Sequence, residues 1–172
     1  MPMKLFSRLL GTSADPRQAL RPLWHQVVEI AREKRWYADM GVADTLEGRF
    51  DMITAILSLV LLRMEREPGL LQSSVHLTEL FVEDMDGQLR ESGVGDLVVG
   101  KHMGRLMSAM GGRLGAYREG LAWEGDSALA EAVRRNIGLI EGAAPDAAAT
   151  ALRELHRRLD GIESAALLAG EL

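Results

Sequence analysis

The sequence predicts an all-α protein that folds as a single compact bundle of five to six helices, and three observations support this prediction. The chain has 172 residues, enough for one hydrophobic core but few for two domains. Hydrophobic residues make up 47% and charged residues 26%, a balance typical of folded globular proteins. Aromatic residues contribute only 5%, and apolar residues recur at helical spacing, so a β-sandwich is disfavoured.

The composition also excludes several classes of function. Cysteine is absent, so the chain has no disulfide framework, thiolate nucleophile or cysteine-ligated metal site. The formal net charge of −5 argues against nucleic-acid binding by the chain itself, which usually needs a basic footprint. The longest apolar run, Met52 to Leu62, is shorter than the roughly 20 residues that cross a bilayer. We therefore expect no membrane-spanning helix.

Residues 1–15 are predicted to form a flexible N-terminal tail that ends in a turn. On a helix, residues 1–10 would form a small basic amphipathic stretch. The stretch combines two cations, Lys4 and Arg8, with the apolar residues Leu5, Phe6, Leu9 and Leu10. A frayed terminus and a weak contact with a membrane surface are both compatible with this pattern. The stretch is too short for a secretory signal, and no cleavage pattern follows it.

Residues 16–142 are predicted to form the main helical domain, which begins with a helix from Pro16 or Pro22 to Met40. Apolar residues recur along this helix at the spacing i, i+4, i+7, and Gly41 ends it. The residues that follow this spacing are Leu23, Val27, Ile30 and Lys34, and those that widen the face are Trp24, Val28, Ala31 and Tyr37.

The second helix is predicted to begin at Asp44, because Glu47 three positions later completes a capping-box pattern. Apolar residues then occupy nearly every face up to Leu62. Such a helix is normally at the centre of its domain or covered by a partner. Pro68 and Gly69 end it.

A third helix is predicted from Leu70 to Glu91, and a fourth from Asp96, its predicted cap, to Leu121. The fourth helix contains the internal glycines Gly100, Gly104, Gly111, Gly112 and Gly115. Each internal glycine costs roughly 0.5–1 kcal/mol relative to alanine. The run therefore predicts either breaks in the helix or close packing of its backbone against a neighbour.

A fifth helix is predicted after the loop at residues 124–127, and it would end at Ile140. Residues 143–172 are predicted to form a C-terminal helix that packs on the main domain or extends it. This helix would begin with Pro145 in its first turn and run to about Leu168.

Charge is distributed unevenly along the chain. Residues 1–35 carry seven cations and three anions, a net charge of +4, whereas residues 79–96 carry one cation and six anions, a net charge of −5. The acidic stretch is either a solvated helix side or a docking patch for a basic partner segment. In a docking patch, charge would set orientation and association rate more than affinity.

No residue pattern indicates catalysis or a cofactor. The four histidines form no metalloprotease or di-iron motif, and the glycines follow no predicted strand that could make a phosphate-binding loop. His76 and Glu79 share a helix face, but two ligands are too few for a metal site. Three methionines, Met103, Met107 and Met110, either fill the core or line an adaptable groove for apolar segments.

Three sequence blocks, in a fixed order, carry a resemblance to a known family. The first, WYADMGVADTLEGRFDM, runs from Trp36 to Met52. The second, FVEDMDGQLRESGVGDLVVGK, runs from Phe81 to Lys101, and the weaker third, GRLGAYR, occupies residues 112–118. Together they resemble the ubiquinol–cytochrome c chaperone family over about residues 20–140.

The resemblance implies a non-enzymatic assembly factor for the cytochrome bc1 complex. Such a factor binds newly made cytochrome b until haem is acquired and partner subunits join. For a chain of this bacterial type, the resemblance implies a cytoplasmic location, with peripheral contact at the inner membrane. Contact with the ribosome and with a second assembly factor stays open at this point.

The candidate client-binding residues come mainly from these blocks. The aromatic candidates are Trp36, Tyr37, Phe50 and Tyr117. The charged candidates are Asp44, Arg49, Asp51, Asp84, Asp86, Arg90, Asp96, Lys101 and Arg113. Met103 and Met107 join them as groove candidates. Structural roles are equally open, since Asp44 and Asp96 can cap helices and Arg49 can form an internal ion pair with Asp84 or Asp86.

Three other hypotheses remain compatible with the sequence. An interaction module or accessory factor of another membrane complex would bury the aromatic–Asp–Arg cluster of the first block. A small-molecule or haem-binding helical protein would have a concave apolar pocket with a converging histidine. A peripheral membrane protein would be anchored by residues 1–10.

Overall fold

The computed structural model describes residues 14–172, and these residues form an all-α bundle, as predicted. The predicted tail and its basic amphipathic stretch lie, up to residue 13, outside the described residues. The described part has eight α-helices rather than the expected five or six, and no strand beyond an isolated bridge between Val42 and Leu139. The α-helices are α1 (Arg21–Ala31), α2 (Lys34–Ala38), α3 (Leu46–Glu65), α4 (Leu71–Glu91), α5 (Asp96–Ala122), α6 (Ser127–Asn136), α7 (Asp146–Asp160) and α8 (Ser164–Leu168). Two 3-10 helices, Pro16–Leu20 and Pro68–Leu70, precede α1 and α4.

Helix α3 lies at the centre of the bundle, as its nearly continuous apolar sequence predicts. Every residue from Met52 to Met64 is buried. Helices α1, α4, α5 and α7 pack against α3, and α6 packs against α5 and α7. Within residues 14–172, no helix has both the length and the apolar character that a membrane crossing requires.

The predicted first helix is interrupted after Ala31, and the chain turns at Glu33 before α2 begins. Two aromatic side chains of α2 stabilise the interruption. Trp36 Nε1 donates a hydrogen bond to the carbonyl oxygen of Ile30 at 2.7 Å, and the Tyr37 hydroxyl donates to that of Ala31 at 2.8 Å. The last carbonyl groups of a helix lack partners within it, so these side chains take the place of a further helical turn.

Thr45, and not Asp44, caps α3. Thr45 Oγ1 accepts a hydrogen bond from the backbone nitrogen of Gly48 at 3.0 Å. A side chain at Gly48 is excluded, because a Cβ there would lie 2.0 Å from the carbonyl oxygen of Ala43. The capping role predicted for Asp44 is therefore wrong, and its carboxylate pairs with Arg49 instead.

Helix α5 runs without interruption across its glycines, so both alternatives drawn from them are wrong. At five of these glycines, an added Cβ would meet no described atom within 4 Å apart from the adjoining backbone of α5 itself. They are Gly100, Gly104, Gly111, Gly112 and Gly115. Gly120, by contrast, packs closely, since its Cβ would lie 2.9 Å from the Cα atom of Leu129. Close backbone packing is thus limited to the end of α5 that meets α6.

Helix α6 ends at Asn136, four residues before the predicted end at Ile140. The segment that follows pairs with the chain just before α3 instead of continuing the helix. Ala43 donates a backbone hydrogen bond to the carbonyl oxygen of Gly138 at 2.8 Å, and Ile140 donates one to that of Gly41 at 2.8 Å.

The predicted C-terminal helix is divided into α7 and α8 by residues 161–163. Arg63, a buried residue of α3, stabilises the division. Its guanidinium donates to the carbonyl oxygens of Leu159 at 3.1 Å and Ile162 at 2.9 Å, and it pairs with Glu67 at 2.7 Å. Burial of a charged side chain is costly unless it is paired and hydrogen-bonded, and these contacts meet that requirement.

Candidate functional site

An open groove lies between α4 and α5, with residues of α3 contributing to its lining, and we call it the α4–α5 groove. Its volume is about 650 Å³. Most of its surface is apolar, and the apolar residues that line it are Leu61, Val75, Val82, Met107 and Leu114. Val75 and Met107 are 45% and 39% exposed, so the groove offers apolar surface that solvent can reach.

Carboxylates frame this apolar surface. They belong to Glu65, Glu79, Glu83 and Asp86, whereas Arg17 is the one cation among the described lining residues. With four carboxylates and one guanidinium, the lining has a formal charge of −3. Arg17 itself pairs with Asp15 at 2.7 Å and with Glu83 at 3.2 Å, and its hydrogen bonds lower the pKa of Asp15 to about 2. The groove is therefore suited to a partner that is both apolar and basic.

The three methionines predicted either to fill the core or to line a groove divide between these two roles. Met107 lines the α4–α5 groove. Met110 is buried in the core, and Met103 is half-buried and packs against it. Asp86 is the other predicted site residue that lines the groove.

Several groove residues were not assigned to a site by the sequence analysis, although a signal for them exists. Val75, Glu79, Val82 and Asp86 follow the spacing i, i+4, i+7, i+11, which places them on one face of α4. This face combines apolar and acidic residues, and its acidic members come from the stretch that the sequence leaves open as a solvated helix side or a docking patch. The contribution of Leu114 depends on α5 packing beside α4, which the sequence alone does not give.

A polar cluster joins α3, α5 and the segment after α6. Arg113 Nη2 lies 2.7 Å from Asp51 Oδ1, and Arg113 Nη1 donates to Thr54 Oγ1 at 2.7 Å. Asp51 Oδ2 accepts a hydrogen bond from the backbone nitrogen of Gly138 at 2.9 Å. The guanidinium of Arg113 also lies 5.5 Å from the centre of the Phe50 ring. Three predicted site residues, Phe50, Asp51 and Arg113, thus meet, and the side chains of Asp51 and Arg113 are largely shielded from solvent. The interaction-module hypothesis expects the cluster of the first block to be buried, which holds for Asp51 but not for Arg49, the arginine of that block, which is 58% exposed.

Aromatic side chains connect this cluster to α1 and α4. The rings of Phe50 and Phe81 lie 6.3 Å apart, and those of Phe81 and Trp24 lie 6.0 Å apart in an edge-on arrangement. The indole nitrogen of Trp24 donates a hydrogen bond to the carboxylate of Asp84. Asp84, a predicted site residue, therefore satisfies the polar atom of a buried aromatic ring.

Arg90 links the end of α4 to the start of α5. It pairs with Asp86 at 2.7 Å and with the carboxylate of Asp96. The hydrogen bond to Asp86 raises the pKa of Arg90. Asp96 is the first residue of α5 and Gly95 is its N-cap, so the capping role predicted for Asp96 is wrong.

A second, smaller pocket lies beside α2 and is mainly basic. Its volume is about 480 Å³, and it is lined by Arg32, Lys34, Tyr37, Ala38, Asp44 and Arg49. Arg49 Nε lies 2.8 Å from Asp44 Oδ1, so the predicted pairing of Arg49 with an aspartate of α4 is wrong. Burial raises the pKa of the Tyr37 hydroxyl.

Two predicted contact residues, Trp36 and Tyr117, are completely buried. The Tyr117 hydroxyl has no hydrogen-bond partner among the described residues, and burial raises its pKa. In this conformation both rings belong to the core. Lys101, by contrast, is exposed on α5, one turn from Leu97, which is 94% exposed.

Within residues 14–172, no three His, Asp or Glu side chains are placed so that they could hold a metal ion. His76 Nε2 lies 2.9 Å from Gln72 Nε2. No histidine is among the described residues that line the α4–α5 groove. The converging histidine expected of a haem-binding protein is therefore not found at this groove.

Comparison with known proteins places the chain in a family. The family described as ubiquinol-cytochrome C chaperone matches residues 38–172, including the C-terminal part that the three sequence blocks do not reach. The crystal structure of the Cbp3 homolog from Brucella abortus is similar to this structure, with a TM-score of 0.80 and 33% sequence identity over 100% of this chain and 95% of that chain. No curated protein matches the chain. The resemblance drawn from the sequence is thus confirmed, and the chain belongs to the ubiquinol–cytochrome c chaperone family.

Proposed function

We propose that this chain is a non-enzymatic assembly chaperone that binds newly made cytochrome b and supports assembly of the cytochrome bc1 complex. Its membership of the ubiquinol–cytochrome c chaperone family supports the assembly role. The observation that carries the client assignment is the α4–α5 groove, because it offers accessible apolar surface framed by carboxylates.

The chemistry of the groove suits a segment of an unfinished membrane protein. Transmembrane segments are apolar, and the loops that face the cytoplasm carry an excess of Lys and Arg. Val75, Val82 and Met107 would contact the apolar part, and a methionine adapts to side chains of different shape. Glu79 and Glu83 would attract the basic end of the segment and so set its orientation and association rate.

Binding and release need no nucleotide in this proposal. The chaperone binds the client only in its unfinished, unassembled state. Haem and partner subunits stabilise the competing folded state, and release then follows from mass action. We place the activity at the cytoplasmic side of the inner membrane, where basic loops of the client emerge. Contact with the ribosome or with a second assembly factor would use other surfaces.

The polar cluster around Asp51 and Arg113 has a supporting role. Asp51 belongs to α3 and Arg113 to α5, so their ion pair holds two of the three helices that line the groove against each other. Arg113 directly precedes Leu114, which lines the groove. The cluster therefore positions the groove surface without contacting the client itself.

Site-specific crosslinking tests the client assignment. A photoreactive amino acid at Met107 should capture newly made cytochrome b. The same amino acid at Ser108, which is exposed but does not line the groove, should capture little. Met107→Glu should weaken client binding about tenfold, because a carboxylate in an apolar contact costs at least ~1.4 kcal/mol. Ser108→Glu adds the same charge one residue away and should bind normally.

The same variants can be read out in cells. Deleting the gene should lower the amounts of cytochrome b and assembled bc1 complex while other membrane complexes stay near normal. A Met107→Glu copy should fail to restore them, and a Ser108→Glu copy should succeed. Equal crosslinking from the two positions, or normal cytochrome b in the deletion strain, would contradict the client assignment.

An accessory factor of another membrane complex is the second candidate function. The burial of Trp36 and the shielding of Asp51 favour it, because this hypothesis expects the aromatic–Asp–Arg cluster of the first block to lie inside the protein. Arg49, the arginine of that block, does not fit this expectation, since its side chain is 58% exposed. The deletion strain separates the two candidates. The second candidate predicts the loss of a different complex with cytochrome b unchanged.

A further inference from the structure

We infer that residues 1–13, which we call the N-terminal segment, dock in the α4–α5 groove and compete there with the client. The inference rests on the proposed function only in naming the client as the competitor. The docking is supported by the charge, the apolar pattern and the position of the segment relative to the groove.

The charges of the segment and the groove are complementary. The N-terminal segment contains Lys4 and Arg8 and no Asp or Glu. Three of the lining carboxylates pair with arginines of the chain, namely Glu65 with Arg118, Glu83 with Arg17 and Asp86 with Arg90. Glu79 has no ion pair of this kind within residues 14–172, and it lies one turn from both Val75 and Val82. It therefore offers an incoming cation a carboxylate beside apolar surface.

The apolar pattern of the segment matches that of the groove. Four of its large apolar residues follow the spacing i, i+1, i+4, i+5, which on a helix gives one continuous apolar side. They are Leu5, Phe6, Leu9 and Leu10. Lys4 and Arg8 are four residues apart and would flank this side. An amphipathic segment of this kind binds by laying its apolar side into a groove while its cations reach the acidic edge.

The position of the described chain brings the segment to the groove. The 3-10 helix Pro16–Leu20 packs against α4, and its residue Arg17 lines the groove. The segment therefore ends four residues before a groove residue. Val75 and Asp86 are eleven residues apart on α4, a distance of about 16 Å. The 13 residues of the segment span about 20 Å as a helix and about 43 Å when extended, so they can reach along the whole groove.

Docking within one chain makes even weak binding effective. A segment tethered this closely competes at an effective concentration on the order of 1 mM. A client must displace it, so the groove would favour client segments that bind more tightly than the N-terminal segment. We expect the docked segment to reduce the apparent affinity for an added competitor by about threefold to tenfold.

Disulfide formation tests the contact directly, because the chain has no cysteine that could interfere. Phe6→Cys combined with Met107→Cys or Val75→Cys should form an internal disulfide at least about fivefold faster than Phe6→Cys with Ser108→Cys, since the bond needs close Cβ atoms. Adding Lys4→Gln and Arg8→Gln should remove the difference. Equal rates in the groove and control pairs would overturn the inference.

A labelled peptide with the sequence of residues 1–13 provides a second measurement on the full-length protein. It should bind the Lys4→Gln/Arg8→Gln variant about threefold to tenfold more tightly than the unmodified chain, because the internal competitor is weakened. The charge-matched control is Arg157→Gln/Arg158→Gln, at exposed positions of α7. It should bind the peptide with the same affinity as the unmodified chain. Identical affinities for all three proteins would overturn the inference.

Other locations of the segment give distinct results, and each would overturn the inference. Disulfides that join two chains and increase with protein concentration would place the segment on a second copy. Binding of the peptide to vesicles of anionic lipid, without binding to either protein, would make the segment a membrane contact. None of these measurements involves cytochrome b, so their failure leaves the proposed client assignment standing, and the reverse is also true.

Discussion

Removing the carboxylate of Asp51 tests directly how the groove is supported. In Asp51→Ala, Arg113 loses the partner at 2.7 Å, and the backbone nitrogen of Gly138 loses the acceptor at 2.9 Å. Arg113 keeps the hydroxyl of Thr54 at 2.7 Å and the ring of Phe50. Asp51 is the one side chain in this cluster that connects α3 with both α5 and the segment after α6. The substitution therefore removes this connection.

The size of the effect follows from burial. The side chains of Asp51 and Arg113 are 13% and 18% exposed. Removing one partner of a buried ion pair costs about 3–5 kcal/mol, and we take a value below this range, about 2–3 kcal/mol, because some water reaches Arg113. The lost hydrogen bond of Gly138 adds only about 0.5–1 kcal/mol, because water can replace it there. We expect the free energy of unfolding to fall by about 3 kcal/mol, which lowers the Tm by about 9 °C for a chain of this size.

Urea and thermal denaturation followed by far-UV circular dichroism provide the assay. Asp44→Ala is the matched control, because Asp44 and Arg49 form a pair of similar length, 2.8 Å, whose side chains are 57% and 58% exposed. Solvent screens such a pair, so the control should unfold close to the unmodified chain. Similar losses in Asp51→Ala and Asp44→Ala would refute the view that the Asp51 cluster is a buried structural contact.

Two further predictions concern glycine substitutions and pH. Gly48→Ala should lower the free energy of unfolding by at least about 2 kcal/mol, because its Cβ would clash with the backbone at Ala43. Gly104→Ala lies in open space on α5 and should raise the free energy of unfolding by about 0.5–1 kcal/mol. Urea denaturation measures both variants, and equal effects would contradict the packing described here. Burial lowers the pKa of His156 below its ordinary 6.5, so the stability it contributes is present above pH 6.5 and is lost as the pH falls through its lower folded-state pKa. Thermal scans from pH 7.5 to 5 should therefore show a Tm decrease that is smaller in His156→Leu, and an equal decrease would contradict this assignment.

The sequence predicts the fold where local patterns decide it, and fails where tertiary contacts do. The apolar sequence of α3 is enough to predict its central place, since no face of it could remain in water. The interruption before α2 has no comparable signal, because it depends on Trp36 and Tyr37 reaching back to carbonyl groups of α1. At the start of α3, Asp44 and Thr45 are both good caps by residue type, and only the structure shows that Thr45 accepts the hydrogen bond of Gly48 while Asp44 pairs with Arg49.

The residues of the candidate site could likewise be predicted from the sequence only in part. The acidic and apolar face of α4 could be found from helical spacing alone, since Val75, Glu79 and Val82 follow it. The burial of Trp36 and Tyr117 could not be predicted from the sequence. A resemblance carried by sequence blocks does not distinguish residues that support a binding surface from residues that form it. Only the packing of α5 against α3 reveals that the blocks contribute both kinds of residue.

Variants can distinguish the residues that support the groove from the residues that form its surface. Arg113 belongs to the buried support of the groove, and the next residue, Leu114, belongs to the groove surface. One turn of α5 therefore contributes to both. Met107→Glu should weaken binding of cytochrome b while the urea midpoint stays unchanged, because the side chain is already partly in water. Asp51→Ala should lower the midpoint, yet crosslink normally at temperatures where it is folded. If Asp51→Ala instead loses crosslinking while fully folded, the buried cluster takes part in binding, and the assignment of client contact to the groove surface alone is wrong.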